Sequence, residues 1–201
     1  MTSKFPTNSK RGFTLIEMLI AVLLLTTAVA GPMTIASRGI TASTVAKDQV
    51  TAFFLAQDAV EYIRYQRDTN KLAGDDWLTG IGGTTAPGGC EGARGCLIDA
   101  TGNDVGSSVQ HPIGVCGPGA GSTCGSPLLY NTETKRFTYI NAGATTDFTI
   151  FRRHVKMVEL SADEVELEVR VIWCYDNNLP SCAEDPDSKE VVVRENLLDW
   201  H

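Results

Sequence analysis

Histidine is nearly absent from this chain, and the few present are badly placed for catalysis. His111, His154 and His201 are scattered, and none sits in a nucleophile or zinc motif. No serine or cysteine has a paired base near it in sequence, so no catalytic constellation emerges and an enzyme is not expected. Cys-x-x-Cys spacing is missing as well, which removes the common thiolate metal sites. Acidic residues are missing from the first twelve positions, which hold Lys4, Lys10 and Arg11. With those three set aside, 14 of the 17 basic residues remain against 24 acidic ones, a net −10. A body of that sign argues against nucleic acid as a partner, because such binding relies on Lys and Arg neutralising phosphates. One short basic patch, Arg152-Arg153-His154 with Lys156, reads as a solvated strand face. Gly80-Ile81-Gly82-Gly83 lacks the strand–loop–helix context and the lysine of a phosphate loop.

What is present begins with an apolar run. Phe13 to Ala30 is almost unbroken, follows Lys10-Arg11-Gly12, and carries one charge, Glu17. About 18 residues of helix reach roughly 27 Å, enough to cross the hydrocarbon core of a bilayer. Lys10 and Arg11 hold the leader on the cytoplasmic side and send the C-terminal body outward. A carboxylate in lipid costs a few kcal/mol, so Glu17 is expected to be kept for a partner. Two export routes compete. Ala28-Val29-Ala30 has the small-x-small pattern of a signal peptidase site, which would release a secreted, disulfide-stabilised binding domain. Cleavage after Gly12 would instead retain the apolar segment, and an internal carboxylate is of no use to a signal-peptide core.

The six cysteines, Cys90, Cys96, Cys116, Cys124, Cys174 and Cys182, all lie beyond the apolar run. An even number downstream of an export signal reads as disulfides in an oxidising compartment. Six cysteines allow 15 pairings and the sequence does not choose among them. Sequential pairing is the simplest arrangement, because each pair then closes a short loop.

Lys10-Arg11-Gly12 followed by Phe13-Thr14-Leu15-Ile16-Glu17 resembles the leader of the type IV pilin and pseudopilin superfamily. The resemblance implies that prepilin peptidase cuts after Gly12, that the new N-terminus at Phe13 is methylated, and that Glu17 neutralises the N-terminal amine of a neighbouring subunit. It implies an α+β pilin-like fold: a long bent N-terminal helix, half membrane and half amphipathic, packed on a small antiparallel sheet. The implied location is the bacterial inner membrane, single-pass with the C-terminus outside, and then a filament. The implied partners are other pilin or pseudopilin subunits, prepilin peptidase and the inner-membrane assembly platform. Phe54-Leu55-Ala56-Gln57-Asp58-Ala59-Val60-Glu61, with Arg64, Arg67 and Asp68, is similar to the type IV pilus modification proteins and to the I-type minor pseudopilin of type II secretion. The ending Val191–Trp200, after Val171–Trp173, resembles the modification-type minor pilins too. The expected function is a minor pilin, with a minor pseudopilin of type II secretion or a major structural subunit as alternatives.

The organisation follows: leader 1–12, membrane half-helix 13–32, amphipathic half-helix 33–70, a Gly- and Cys-rich variable region 71–147, and C-terminal strands 148–201. Gly31-Pro32 predicts a kink or a locally melted turn. Val45, Ala52, Leu55, Ala59 and Ile63 build one apolar stripe, and Phe53 and Phe54 are expected in the core. Fourteen of the nineteen glycines lie between Gly80 and Gly125, a composition that must be ordered by cross-links and docking. Short strands are expected there near Leu97–Ile98 and Leu128–Tyr130, and the region is the candidate for individual contacts. Glu164–Val171 alternates strictly, placing Val165, Leu167, Val169 and Val171 inward, with partner strands at Phe148–Val158 and Glu190–Leu198. The last loop holds Asp176, Asp185 and Asp187 among Asn177, Asn178 and Glu184, oxygen ligands that suit calcium. Their spacing matches no EF-hand, so a solvated turn closed by Cys174–Cys182 is preferred and no cofactor is expected.

Overall fold

Thr14 starts a helix that runs without a break to Ala73. The computed structural model describes residues 12–82, 89–91, 95–101, 113–116, 126–141, 143–175, 182 and 187–200. It divides into two compact units, Met1–Lys47 and Asp48–His201, and the helix α1, Leu15–Ala73, belongs to both. In the first unit every described residue up to Thr44 is exposed, including Leu19, Leu23, Leu24 and Leu25. Its threonines do not leave hydroxyls bare in this apolar stretch. Thr26 donates to Leu23 O at 2.9 Å, Thr27 to Leu23 O at 3.0 Å, and Thr34 to Ala30 O at 3.0 Å. Helix α1 continues through Gly31 and Pro32. Proline removes one backbone donor, and the flanking turns keep the remaining ladder.

In the second unit α1 buries Ala52, Leu55, Ala56, Ala59, Val60, Tyr62 and Ile63. The expected stripe is present from Ala52 onward, while Val45 is half-buried. Phe53 and Phe54 correct the sequence reading, being 44% and 64% exposed. Each residue turns the helix by about 100°, so the two positions after Ala52 point away from the buried stripe whatever their hydrophobicity. The helix ends at Gly74, whose φ of 81° suits the left-handed position after a helix. Buried Asn70 then fastens the following turn, donating to Trp77 O at 3.1 Å and Thr79 O at 2.8 Å.

A five-stranded antiparallel sheet has the order β2-β1-β6-β7-β8. Its strands are β1, Cys96–Ile98; β2, Ile113–Val115; β6, Phe151–Ser161; β7, Glu164–Trp173; and β8, Lys189–Leu198. A second sheet, β4-β3-β5, pairs β3, Leu129–Asn131, with β4, Arg136–Thr138, and with β5, Thr146–Phe148. The interior strand β7 alternates as expected, with Val165, Leu167, Val169, Val171 and Trp173 buried. The expected strands near Leu97 and Leu128 are β1 and β3, whereas β2 and β4 were not anticipated. The glycine-rich region therefore supplies two strands to the main sheet, with Cys96 opposite Val155.

Gly95 makes that junction possible. Its φ is 65°, and a Cβ built there would lie 2.1 Å from Val155 O and 2.8 Å from His154 Nε2. Both objections to a side chain act together. Gly95→Ala is expected to destabilise the fold by at least about 2 kcal/mol, roughly 5–10 °C in thermal midpoint. Gly74→Ala is the control: its backbone is equally left-handed, but nothing lies within 4 Å of the added carbon. That change is expected to cost about 1 kcal/mol. Thermal melts of the two variants that coincide would show that the close approach at Gly95 is not real.

Candidate processing and assembly site

The N-terminal site is built around a helix start. Thr14 Oγ1 accepts from Glu17 N–H at 3.3 Å, and Met18 N–H donates to Thr14 O at 3.2 Å. Thr14 is thus the N-cap and Glu17 the third helical residue, the Thr-x-x-Glu spacing of a capping box. This role for Thr14 was not read from the sequence, although the spacing signals it. Gly12 and Phe13 precede the helix outside any regular secondary structure, Phe13 being 78% exposed. The peptide bond after Gly12 therefore lies outside any helical hydrogen bonding, where a protease can take it in extended form. Glu17 sits in the first turn, where the helix dipole favours an anion, and all of its neighbours along the apolar stretch are exposed. By length and composition the helix suffices to cross a membrane, and none of its apolar window is buried.

In the second unit, the basic patch at β6 is not a uniform solvated face. Arg153 is 1% exposed. Its guanidinium donates to Leu55 O at 2.7 Å, to Asp58 Oδ2 at 2.9 Å and to Ile98 O, tying α1 to β1 through β6. Arg152, His154 and Lys156 are half-buried on the opposite face. The reason is the strand's alternation, which turns Phe151, Arg153, Val155 and Met157 inward. That same alternation was available in the sequence, hidden by the cluster of basic letters.

Beside this clamp, Asp99 is buried and accepts from Thr101 N–H and hydroxyl, from Thr138 Oγ1 at 2.7 Å and from Tyr139 N–H at 2.6 Å. Tyr139 as a whole is half-buried, but its hydroxyl turns inward and donates to Arg153 O at 3.1 Å. Loss of water around that hydroxyl, partly offset by Arg153, pushes the phenol up to about 12.

Of the cysteines, Cys90–Cys96 and Cys174–Cys182 are bridged as the sequential pairing expected. Cys116 is also disulfide-bonded, and Cys124 lies outside the described residues. The suggested calcium residues Asp176 and Asp185 lie outside them too, as do His111 and His201, while Asp187 sits in a turn. Among the described residues no group of three or more His, Cys, Asp or Glu side chains is placed to hold a metal.

The prokaryotic N-terminal methylation motif matches this chain over residues 7–31. The chain carries a prepilin-type N-terminus. This supports a type IV pilin-like protein, processed by prepilin peptidase and assembled with other pilins, and a structural subunit rather than an enzyme. The long helix packed on an antiparallel sheet, with the two bridges among the described residues, is consistent with the pilin-like fold. No curated protein and no solved structure matches the chain. The motif and the apolar helix fit an inner-membrane anchor that later enters a filament.

The buried phenol gives a pH test. Below about pH 10 folded and unfolded chains both hold the Tyr139 proton; between about 10 and 12 only the folded chain does, so this stability falls as pH rises through that window. Absorbance titration at 295 nm is expected to show one of the five tyrosines ionising last, near pH 12. Tyr139→Phe should remove that step and flatten the alkaline loss of stability. A tyrosinate signal complete by about pH 11 in the folded protein contradicts the inward placement of the hydroxyl.

Proposed function

We propose that the protein is a minor pilin of a type IV pilus-like filament. The single observation that carries this reading is Glu17 in the first turn of an exposed, membrane-length helix, five residues past Gly12. Cleavage after Gly12 leaves an amine on Phe13 and a carboxylate one turn along the same helix. A carboxylate is tolerated in an apolar packing when it is paired with a cation, and the amine of an adjoining subunit supplies one. The leader stays in the cytoplasm with Lys10 and Arg11, and the cysteine-bridged body faces the oxidising side.

The minor rather than major assignment rests on the resemblance of the helix segment after Phe54 and of the terminal strand to modification-type minor pilins. In support, β8 is a ten-residue strand followed by Trp200, whose ring lies 5.9 Å beneath the Arg67 guanidinium. Arg64 also holds β8 to the helix, with Nε and Nη2 donating to Glu195 at 2.8 and 2.6 Å. That carboxylate raises the Arg64 pKa. The segments that carry the resemblance are thus the ones that dock on each other.

Mass spectrometry of the mature protein is expected to find an N-terminus at Phe13, carrying one methyl group. An N-terminus at Gly31 would mean signal peptidase processing and end the pilin reading. Glu17→Ala is expected to leave cleavage intact but to remove the protein from sheared filaments. Normal incorporation of that variant would break the proposed assembly role. In purified filaments the chain should be a small fraction of the subunit mass.

A further inference from the structure

A guanidinium lies against the Cys174–Cys182 bridge. Arg152 Nη1 is 3.3 Å from Cys174 Sγ and also donates to Cys182 Sγ. Both cysteines are fully buried, and loss of water lowers the pKa of the guanidinium. A disulfide is neutral and returns little to a cation packed on it. A thiolate in the same place returns a charge-assisted hydrogen bond. The contact therefore matters most while the bond is still open.

The order of folding events makes that possible. β6 and β7 are one hairpin turning at 162–163, and its register sets Arg152 opposite Ile172, two residues before Cys174. Hairpins form in roughly microseconds, whereas disulfides take seconds to hours. The hairpin register alone therefore brings Arg152 near the Cys174 position, ahead of oxidation. We propose that Arg152 holds the reduced Cys182 sulfur as a thiolate against Cys174, so that this bridge closes rapidly once the chain meets a disulfide oxidant.

The oxidant is a small-molecule or protein disulfide. The Cys182 thiolate attacks it, forming a mixed disulfide and expelling one oxidant thiolate, which takes up the proton of the Cys174 thiol. The Cys174 thiolate then attacks Cys182 Sγ, the intramolecular bond forms, and the second oxidant sulfur leaves and takes up the proton that Cys182 had shed to solvent. Two thiols lose two electrons and two protons, and one oxidant disulfide becomes two thiols.

The test is oxidation of the reduced, full-length chain in detergent by oxidised glutathione, with alkylation quenching and peptide mapping of both described bridges. Near pH 7, Arg152→Gln is expected to close Cys174–Cys182 about two- to fourfold more slowly than wild type. Near pH 9.5 the order should reverse, because both sulfurs are then ionised and the less acidic thiolate is the better nucleophile. Arg152→Lys should restore the wild-type profile, and Cys90–Cys96 should close at the same rate in all three chains. A crossing profile confined to Cys174–Cys182 supports the proposal. Equal rates overturn it, and so does uniform slowing at every pH or of both bridges alike, which is what a merely structural arginine would give.

Discussion

The second unit is organised around one buried cation. Arg153 lies beneath the sheet with its guanidinium on Leu55 O, Asp58 and Ile98 O. Removing such a group from water costs several kcal/mol unless its donors are met. Here a carboxylate and two carbonyls meet the two Nη groups, from a helix on one side and a three-residue strand on the other, while the buried Nε has no partner. Arginine suits the position because its planar fork directs several donors at fixed angles, which a lysine ammonium does not. A strand as short as β1 has little pairing of its own, with a single residue pair to β6, so the hydrogen bond from Arg153 to Ile98 O helps to hold it. The same residue's carbonyl receives the Tyr139 hydroxyl, which links the second sheet to the first.

Around that centre, charge fixes position more than it adds stability. Lys71 pairs with Asp199 at 2.7 Å and Arg64 with Glu195, both joining the helix to β8 or its end. On the outer face Glu168 faces Arg194 directly across the strands, and Arg170 reaches both Glu168 and Glu190. The Arg194 hydrogen bond holds the Glu168 carboxyl below its usual range. Partly exposed pairs of this kind are worth well under about 1 kcal/mol each. The apolar stripe of Ala52, Leu55, Ala59 and Ile63 against Val165, Leu167, Val169 and Val171 supplies the energy, and the ion pairs select its register.

How far the sequence reveals this depends on the range of the interaction. β7 was legible because a period of two is local and its letters alternate without exception. The prepilin motif was legible because processing and insertion act on a short contiguous stretch. Phe53 and Phe54 were misread because their hydrophobicity was weighed above their angle on the helix. Arg153 was misread because neighbouring cations suggested a patch, while strand geometry sends adjacent side chains to opposite faces. β2 was hard to see for a different reason: a three-residue strand set among glycines carries little periodicity.

The two stretches of α1 obey different demands, and Glu17 is what relates them. The second unit buries one face of the helix and exposes the other, as a water-soluble helix does. The first exposes Leu, Ile and Val on every side, which water does not tolerate and lipid does. Exchanging lipid for another apolar helix yields no hydrophobic gain, because hydrocarbon tails are as apolar as leucine. A stem of that kind alone has no reason to leave the bilayer for a filament. A carboxylate changes the balance: in lipid it is held at a cost of a few kcal/mol, and a cation from an adjoining stem relieves that cost on packing. Under the proposed function, the residue that makes membrane residence less favourable is the same one that makes assembly favourable. In this reading an apolar residue at position 17 would strengthen the anchor and weaken the filament together.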